Sequence, residues 1–134
     1  MALLAPDVGE VEVLKRALNY SATGDVKLHL YKNNKTPAEG DTHADYTEAT
    51  GDGYSAITLT GASWSIATLV GVTTASYAQQ TFTINDQTDV SYYGYFVTNS
   101  AGTVLLWAEL FTDGPYPMGT AGGTVKVTPK ITCA

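Results

Sequence analysis

Apolar and polar residues alternate along most of this sequence, from about residue 25 almost to the end. In VKLHLYK, residues 26–32, the apolar side chains of Val26, Leu28 and Leu30 stand at every second position. The same period of two recurs in six later segments: YSAITLT, SWSIATLV, TFTIN, VSYYGYFVT, TVLLWAELF and TVKVTPKIT. Because successive side chains of a strand point to opposite faces of its sheet, this pattern predicts about seven strands with one buried face each.

Short connections between these segments favour an antiparallel arrangement. NSAG, between two predicted strands, is a Gly-containing link of hairpin type. No helical pattern separates the later strands, which argues against parallel βαβ units. Pro129 lacks the N–H that a strand ladder needs, so the last strand is expected at a sheet edge or interrupted by a bulge. The sequence thus predicts an all-β fold, either an antiparallel β-sandwich or a jelly-roll-like barrel.

One helix is predicted, close to the N-terminus. In the segment GEVEVLKRALN, Val11, Leu14 and Leu18 recur at spacings of three and four residues, which places them on one helical face. Asn19 follows as a stop signal. We therefore expect a short amphipathic α-helix from about residue 8 to residue 18.

The chain is 134 residues long, which corresponds to about one domain. We expect a single β domain over residues 1–134, with an N-terminal tail and helix at 1–24, a long polar loop at 33–53 and the main strands at 54–132. The loop lies in the stretch LYKNNKTPAEGDTHADYTEATGDGY and shows little periodicity. Connections longer than about 12 to 15 residues are uncommon in compact domains and are usually functional or disordered.

Composition excludes several classes of function. The formal net charge is −6, and the seven basic residues are scattered, which argues against binding of nucleic acid. Cys133 is the only cysteine, so no intrachain disulfide can form and a cysteine-based metal site is not expected. The N-terminus has no basic start followed by an apolar core, and no segment approaches the roughly 20 apolar residues that span a bilayer. We expect neither a cleaved signal peptide nor a membrane partner.

Titratable side chains do not form a recognisable catalytic motif. His29 lies at a polar position of the first predicted strand, where we expect it to be surface-exposed or partly packed. His43 stands between Asp41 and Asp45, a start for a mixed histidine and carboxylate metal site, but the series of ligands ends there. Glu109 is expected to be solvated or paired. We predict no catalytic residue, no cofactor and no metal site.

Aromatic residues are concentrated in the segment VSYYGYFVT. In a continuous strand, the pleat directs Tyr93 and Tyr95 to one face and Tyr92 and Phe96 to the other. One face belongs to the core, and the other then presents tyrosine, which is enriched at protein interfaces. Two interpretations remain open: cross-strand packing of tyrosines on the sheet surface, or tyrosines at a subunit interface.

Several segments together resemble a family of small structural proteins of tailed-phage virions, known chiefly from cyanophages and environmental phages. In chain order they are GEVEVLKRALN, VKLHLYKNNKTPAEGDTHADYTEATGDGY, LTGASWSI, YAQQTFTI, YYGYFVT, LLWAELF and VKVTPKIT. The similarity extends from about residue 8 to residue 132. Its most characteristic elements are LYKNNKTP, YTEATGDGY, YAQQTFTI and VTPKI. None of these motifs is chemically specific or carries a catalytic signature.

This resemblance implies a head decoration (cement) protein that binds the outer capsid surface and stabilises the shell. The implied partners are the major capsid protein and further copies of the same chain, with trimers favoured. The implied location is the virion, assembled in the host cytoplasm. A tail, fibre or spike component that contacts the host surface is the alternative, and a small wall-degrading enzyme is a third interpretation.

In such an assembly, the long polar loop and the N-terminal helix are expected to contact other subunits or the capsid. The loop can regain the entropy lost on ordering through burial at an interface. The alternative is a loop that folds back on its own β body. The residues expected at interfaces are Val11, Leu14, Leu18, Tyr31, Thr36, Pro37, His43, Tyr46, Tyr93 and Tyr95.

Overall fold

The structure is a computed structural model that describes part of the chain. The described residues are Leu14, Leu18, 25–51, 53–85 and 90–133. Most of the helix predicted at residues 8–18 lies outside them. The Leu18 N–H donates to the Leu14 carbonyl over 3.0 Å, with the spacing of one α-helical turn, and both side chains are buried.

Strands dominate the regular structure. The described residues form eleven of them: β1 (Asp25–Tyr31), β2 (Ile57–Thr60), β3 (Ser65–Leu69), β4 (Val72–Ser76), β5 (Gln80–Ile84), β6 (Val90–Tyr92), β7 (Gly94–Asn99), β8 (Leu105–Leu110), β9 (Tyr116–Met118), β10 (Gly123–Val127) and β11 (Lys130–Cys133). Two short 3₁₀ turns lie at His43–Asp45 and Gly61–Ser63. Every strand pairing in this set is antiparallel. The prediction of an antiparallel all-β fold is confirmed.

The strands are arranged in four sheets. The largest has the order β2-β1-β7-β8, and a three-stranded sheet has the order β11-β4-β3. Strand β10 pairs with β5, and β6 pairs with β9. The NSAG link joins β7 to β8 as a hairpin, as predicted, and the Gly102 N–H donates to the Asn99 carbonyl over 3.0 Å.

A pair of bends connects two of these sheets. Strands β4 and β5 are separated by residues 77–79, and their partners β11 and β10 by Thr128 and Pro129. At this bend the Tyr77 N–H donates to the Pro129 carbonyl over 2.9 Å. Pro129 has no N–H of its own, so the ladder is interrupted there, as the sequence predicted. Each chain segment consequently turns from one sheet into the next.

The predicted number of about seven strands is too low. The predicted strands VSYYGYFVT and TVKVTPKIT are each divided in two, at Tyr93 and at Thr128–Pro129. Strands β4 and β9 are absent from the predicted set because neither shows a period of two in large apolar residues. Strand β4, VTTAS, has only Thr73 and Ala75 on its inner face, and β9, YPM, contains a proline.

One hydrophobic core collects the inward-facing side chains of most strands. Val26, Leu28 and Leu30 of β1 all lie in it, which confirms their predicted alternation. Strands of every sheet contribute to the same cluster. Its other buried members are Leu14, Leu18, Ala49, Leu59, Trp64, Ala75, Phe82, Ile84, Tyr92, Tyr95, Val97, Met118, Val125 and Val127.

The tyrosine-rich segment departs from the predicted alternation. Strand β6 ends at Tyr92 and β7 begins at Gly94, so the pleat is interrupted at Tyr93. Tyr92 and Tyr95 therefore both lie in the main core. Phe96 belongs to a second cluster, and Tyr93 packs against that cluster. The prediction that Tyr92 and Phe96 share a face is wrong because the strand is not continuous.

Candidate functional site

A second aromatic cluster lies on the outer face of the largest sheet, which we define as the side of β1 and β7 that carries Tyr31 and Phe96. Tyr46, from the long loop, lies over these two rings. Its ring centroid is 5.0 Å from that of Tyr31 and 5.5 Å from that of Phe96. All three side chains are buried. Because burial of aromatic rings removes a large apolar area from water, the cluster holds the loop against the sheet.

His29, on the same face of β1, links the sheet to the loop by hydrogen bonds. Its ring stacks on Phe96, with centroids 4.6 Å apart and planes within 9° of parallel. Nδ1 lies 2.7 Å from Oε1 of Glu48 in the loop, and Nε2 lies 2.9 Å from Oγ1 of Thr98 on β7. His29 is only 6 % exposed. The expectation of a surface or partly packed histidine is wrong, because the returning loop covers this position.

The hydrogen-bond partners define which ring nitrogens of His29 carry hydrogen. The Thr98 hydroxyl has one hydrogen and donates it to the Asn99 carbonyl over 3.0 Å. The Glu48 carboxylate can only accept, so Nδ1 of His29 donates. This hydrogen bond to a carboxylate is charge-assisted and is stronger than one between neutral groups.

Glu48 has a second partner that connects it to the segment after the loop. The Tyr54 hydroxyl donates to Glu48 Oε1 over 3.0 Å and accepts from the Leu30 N–H over 3.2 Å. The hydrogen bond from His29 is the largest cause that holds the pKa of Glu48 below its usual value. Burial, followed by the charge of Glu48, raises the pKa of Tyr54, so its hydroxyl remains a donor.

The aspartates of the loop are engaged within the loop itself. Asp41 forms an ion pair with Lys35 at 2.8 Å and accepts from the Tyr46 hydroxyl at 2.7 Å. Asp45 accepts from the Thr42 backbone N–H at 2.8 Å and from its hydroxyl at 3.0 Å. The bond from Lys35 is the main cause that lowers the pKa of Asp41, and the bond from the Thr42 N–H lowers that of Asp45.

Backbone hydrogen bonds fix the two ends of this segment, residues 32–50, which we call the covering loop. The Lys32 N–H donates to the Thr47 carbonyl over 2.9 Å, and the Ala49 N–H donates to the Leu30 carbonyl over 2.8 Å. The covering loop is thus folded on its own sheet. The alternative of a loop folded back on its own body is correct, and contact of the loop with other subunits or the capsid stays a prediction.

The Thr98–His29–Glu48 array resembles the hydroxyl, imidazole and carboxylate of nucleophilic catalysis, but its surroundings differ. Thr98 is 0 % exposed, so a substrate atom cannot reach its oxygen. Its hydrogen is donated to a backbone carbonyl and not to the imidazole. A nucleophile needs both access and a base that takes its proton. The array fastens the covering loop to the sheet.

A groove of about 360 Å³ separates the covering loop from β8, an edge strand of the largest sheet. Tyr46 and Trp107 contribute aromatic surface to it, and Glu39 and Asp41 contribute carboxylates. Leu106 also lines the groove and is 40 % exposed. The groove therefore combines apolar, aromatic and acidic groups at a sheet edge.

The β3–β4 hairpin carries the most exposed large apolar side chains in the described part of the chain. Leu69 is 77 % exposed and Val70 is 94 % exposed, and the neighbouring Val72 is partly exposed as well. We call Leu69–Val72 the apolar tip. Contiguous exposed apolar residues mark interaction sites more often than isolated ones do.

The residues predicted at interfaces fall into two groups. Five of them are buried within the chain: Leu14, Leu18, Tyr31, Tyr46 and Tyr95. They stabilise the fold of this chain and offer no surface to a partner, which corrects that part of the prediction. Four others keep exposed or half-buried side chains: Thr36, Pro37, His43 and Tyr93. Val11 lies outside the described residues.

The carboxylates around His43 do not gather around a common point that could hold an ion. Asp41 and Asp45 bind Lys35 and Thr42 instead. Across residues 25–51, 53–85 and 90–133, no three His, Cys, Asp or Glu side chains are placed to hold a metal ion. Glu109 is paired, since its Oε2 accepts from the Tyr95 hydroxyl over 2.6 Å.

Two features of the surface were not predicted from the sequence: the His29–Glu48 contact and the apolar tip. The period of two in β1 places His29 and Tyr31 on one face, but nothing local shows that Glu48 returns to cover them. The apolar tip has a local signal, because LVGV contains a Val-Gly pair within an otherwise small and polar segment. Glycine at such a position is typical of a two-residue hairpin turn.

No protein-family model, no curated protein and no solved structure matches this chain. In the parts of the chain that the structure describes, no helix combines the length and the apolar character needed to cross a bilayer.

Proposed function

We propose that this protein is a structural component of a tailed-phage virion, a head decoration protein that binds the outer capsid surface and stabilises the shell. The resemblance of its segments to small virion proteins supports this function. The geometric observation that carries it is the exposure of large aliphatic side chains on an otherwise well-packed body: Leu69, Val70, Val72, Val104 and Leu106. Exposed apolar side chains of this kind favour association with other proteins.

The proposed body is a β-sandwich, and the shared core supports this arrangement. Val97 of the largest sheet, Ala75 of the three-stranded sheet and Val125 of the β5–β10 pair all belong to one buried cluster. Two stacked sheets bury their facing sides in this way. A rigid body of this kind suits a protein that remains on a shell under outward pressure, because it offers a fixed surface rather than a moving one.

The covering loop is the proposed contact surface for the shell. Its buried side holds Tyr46 and Ala49, while its outer side presents Thr36 and His43. Asp41, Asp45 and Glu48 already have partners within the chain, so these three carboxylates remain paired when another protein displaces water from the outer side. A pre-ordered loop also loses less entropy on binding than a disordered arm.

The decisive experiment is to count copies of the protein in purified particles. Virions of the phage that encodes the chain are separated into heads and tails, and the copies per particle are measured by quantitative mass spectrometry. A head decoration protein is expected in large numbers in the head fraction. A few copies in the tail fraction would contradict head decoration, and absence from both fractions would contradict a virion role.

A variant test addresses the contact surface itself. Thr36→Glu and His43→Glu each add a carboxylate to the outer side of the covering loop without touching its buried contacts. We expect both to weaken binding to heads that lack the protein, because the added charge must lose water on docking. Thr83→Glu, at an exposed position of β5, is the matched control and is expected to bind like the unaltered protein.

A tail, fibre or spike component that contacts host glycans is the second proposal. The observation that favours it is the groove beside β8, where Trp107 lies next to Glu39 and Asp41. Aromatic faces with nearby carboxylates suit sugars, which present both C–H faces and hydroxyl donors. Glycan-array binding that Trp107→Ala abolishes, together with a low copy number in the tail fraction, would favour this proposal over head decoration.

A further inference from the structure

In the apolar tip, Val70 has both an unfavourable backbone conformation and an exposed apolar side chain. Val70 and Gly71 form the two-residue turn between β3 and β4, with φ angles of 50° and 73°. Both angles are positive, as in the type I′ turn that usually contains asparagine, aspartate or glycine. A β-branched residue with positive φ is strained. Val70 is in addition 94 % exposed, so neither its backbone nor its side chain gains from this position in the isolated chain.

Strand β3, which leads into this tip, has one unpaired edge among the described residues. It ends the sheet β11-β4-β3, with Leu69 opposite Val72 and Ala67 opposite Thr74. The residues that flank a two-residue turn form a hydrogen-bonded pair, and such pairs alternate along the ladder. Leu69, Ala67 and Ser65 therefore direct their backbone groups to β4. Ile66 and Thr68 direct theirs to the unpaired edge.

The outward side chains along β3 are small except at the tip. Ser65, Ala67 and Leu69 are exposed, and Ile66 and Thr68 point toward the interior side and are half-buried. Natural proteins usually protect an open edge with lysine, proline or a bulge. Strand β3 contains none of these, and no other described strand pairs with this edge, so we take it as available to a further strand.

Charge favours a second copy of this chain as the partner. The net charge is −6, so two copies repel each other over most of their surfaces. No charged residue occurs between residues 53 and 85, a range that contains both strands of the hairpin. Two copies that pair along β3 therefore bring no like charges together. An acidic protein can associate with its own copy here without electrostatic repulsion.

We propose that two copies pair along β3 in antiparallel fashion, about a twofold axis that passes between the two Ala67 residues. Ile66 of each copy then lies opposite Thr68 of the other, and these two pairs form four hydrogen bonds across the interface. The two three-stranded sheets become one continuous sheet of twice the width. A twofold axis makes the contact self-complementary, as closed dimers require.

The side chains suit this register. Leu69 lies opposite Ser65 of the other copy, so each large exposed side chain meets a small one. Val70 comes opposite Trp64, beside the exposed Ser63, just before β3 of the other copy. The contact thus covers the apolar tip of both copies and gives a role to the strained Val70. It yields a dimer in place of the trimer that the resemblance implies.

The test uses a charge swap at Ala67, whose side chain is exposed and meets its own copy at the axis. Ala67→Lys and Ala67→Glu each place two like charges opposite each other, so each variant alone is expected to dimerise about tenfold more weakly or worse. An equimolar mixture of the two is expected to restore a dimer that contains one of each. Sedimentation velocity on the full chain measures all three samples.

Recovery of the mixed dimer also shows that both variants are folded. Thr83→Lys, which adds the same charge at an exposed position of β5, is the matched control and is expected to dimerise like the unaltered protein. The proposal is overturned if the unaltered chain is a monomer or a trimer, if Ala67→Lys dimerises normally, or if the mixture does not recover. None of these outcomes changes the copy number in virions, so the proposed function is tested separately.

Discussion

The covering loop and the apolar tip contrast in composition and in placement. The loop is polar and rich in turn-forming residues, yet it is packed on the sheet, with Tyr46 and Ala49 buried beneath it. The tip consists of leucine, valine and glycine, yet Leu69 and Val70 are the most exposed large apolar side chains among the described residues. Composition alone assigns both regions to the wrong environment.

The contrast has a physical basis in what each segment can satisfy by itself. The covering loop contributes one aromatic ring to the sheet and provides partners for its own carboxylates, as in Asp41 with Lys35. Its buried side needs no partner, and only its outer side, with Thr36 and His43, remains for the proposed contact with the shell. The apolar tip has no such contacts within the chain, because the turn Val70–Gly71 points away from the body. In addition, β3 has no second neighbour among the described strands. A segment left unsatisfied is the better candidate for contact with another copy.

Removing the aromatic anchor of the covering loop is expected to have the largest effect. Tyr46→Ala deletes a ring that is 4 % exposed and contacts both Tyr31 and Phe96. Truncation of a buried aromatic residue costs about 3 kcal/mol or more. We expect a loss of that order in the free energy of urea unfolding, and faster amide exchange at Lys32 and Ala49.

The matched control is Tyr46→Phe. It keeps the ring and loses only the hydroxyl that donates to Asp41 over 2.7 Å. The expected cost is about 1 kcal/mol. If Tyr46→Ala were no worse than Tyr46→Phe, aromatic packing would not hold the covering loop, and the loop would be attached by its polar contacts.

Loss of the charge on Glu48 is expected to have a smaller effect. Glu48→Gln keeps the shape of the side chain but replaces the charged acceptor of the hydrogen bond from His29 with a neutral amide. Because Glu48 is substantially exposed, we expect a cost of only about 1 kcal/mol. A double-mutant cycle with His29→Gln measures the coupling, and additive costs would contradict a direct interaction.

Acidification tests the same attachment through three carboxylates at once. The pKa values of Asp41, Asp45 and Glu48 are lowered in the folded protein. Carboxylates with a lowered pKa stabilise the fold fully at pH values above their unfolded pKa of about 4. This stabilisation is lost as the pH falls through their pKa values in the folded protein. We expect protection at the Ala49 amide to be constant near neutral pH and to fall below about pH 4.

Hydrogen exchange, corrected for the intrinsic effect of pH, provides the measurement. The Tyr77 amide, which is bonded to the Pro129 carbonyl, is the internal control because that bend involves none of these carboxylates. Equal losses of protection at Ala49 and Tyr77 on acidification would indicate global unfolding. Such a result would remove the distinction between the covering loop and the body.

The sequence predicted the part of the fold that depends on local pattern. Alternation in β1 identified Val26, Leu28 and Leu30 as core residues, and the NSAG link identified the hairpin from β7 to β8. The prediction from the sequence was wrong where the chain leaves one sheet and joins another. The interruption at Tyr93 shifts the alternation by one position, and no local property of the residues around Tyr93 reveals that β6 pairs with β9 instead of β8.

The candidate site was harder to predict because its contacts are distant in the sequence. His29 meets Glu48, 19 residues away, and Thr98, 69 residues away. A period of two identifies which face His29 occupies but not what lies over that face. The buried state of Tyr31 and Tyr46 depends on the same return of the chain. Only the three-dimensional path of the covering loop decides whether these side chains are surface or interior.

The smallest predicted effect concerns the strain at the apolar tip, and it has the opposite sign. Val70→Asn places a residue that tolerates positive φ at the first position of the type I′ turn. Since Val70 makes no buried contact to lose, we expect the substitution to stabilise the monomer by about 0.5 to 1 kcal/mol. Urea unfolding at a protein concentration where the chain is monomeric measures it, because dimerisation adds stability of its own.

Val104→Asn is the matched control for this change. Val104 is also an exposed valine, but it does not have a positive φ, so the substitution relieves no strain and is expected to leave the free energy of unfolding unchanged. Val70→Asn and Val104→Asn are expected to differ further in their effect on the dimer. Val70→Asn should raise the stability of the monomer while weakening the pairing, because asparagine removes apolar surface that the other copy covers. A protein that keeps a strained valine at this turn therefore gives up monomer stability for contact with its own copy, whereas the covering loop uses its buried side chains to stabilise the fold of the single chain.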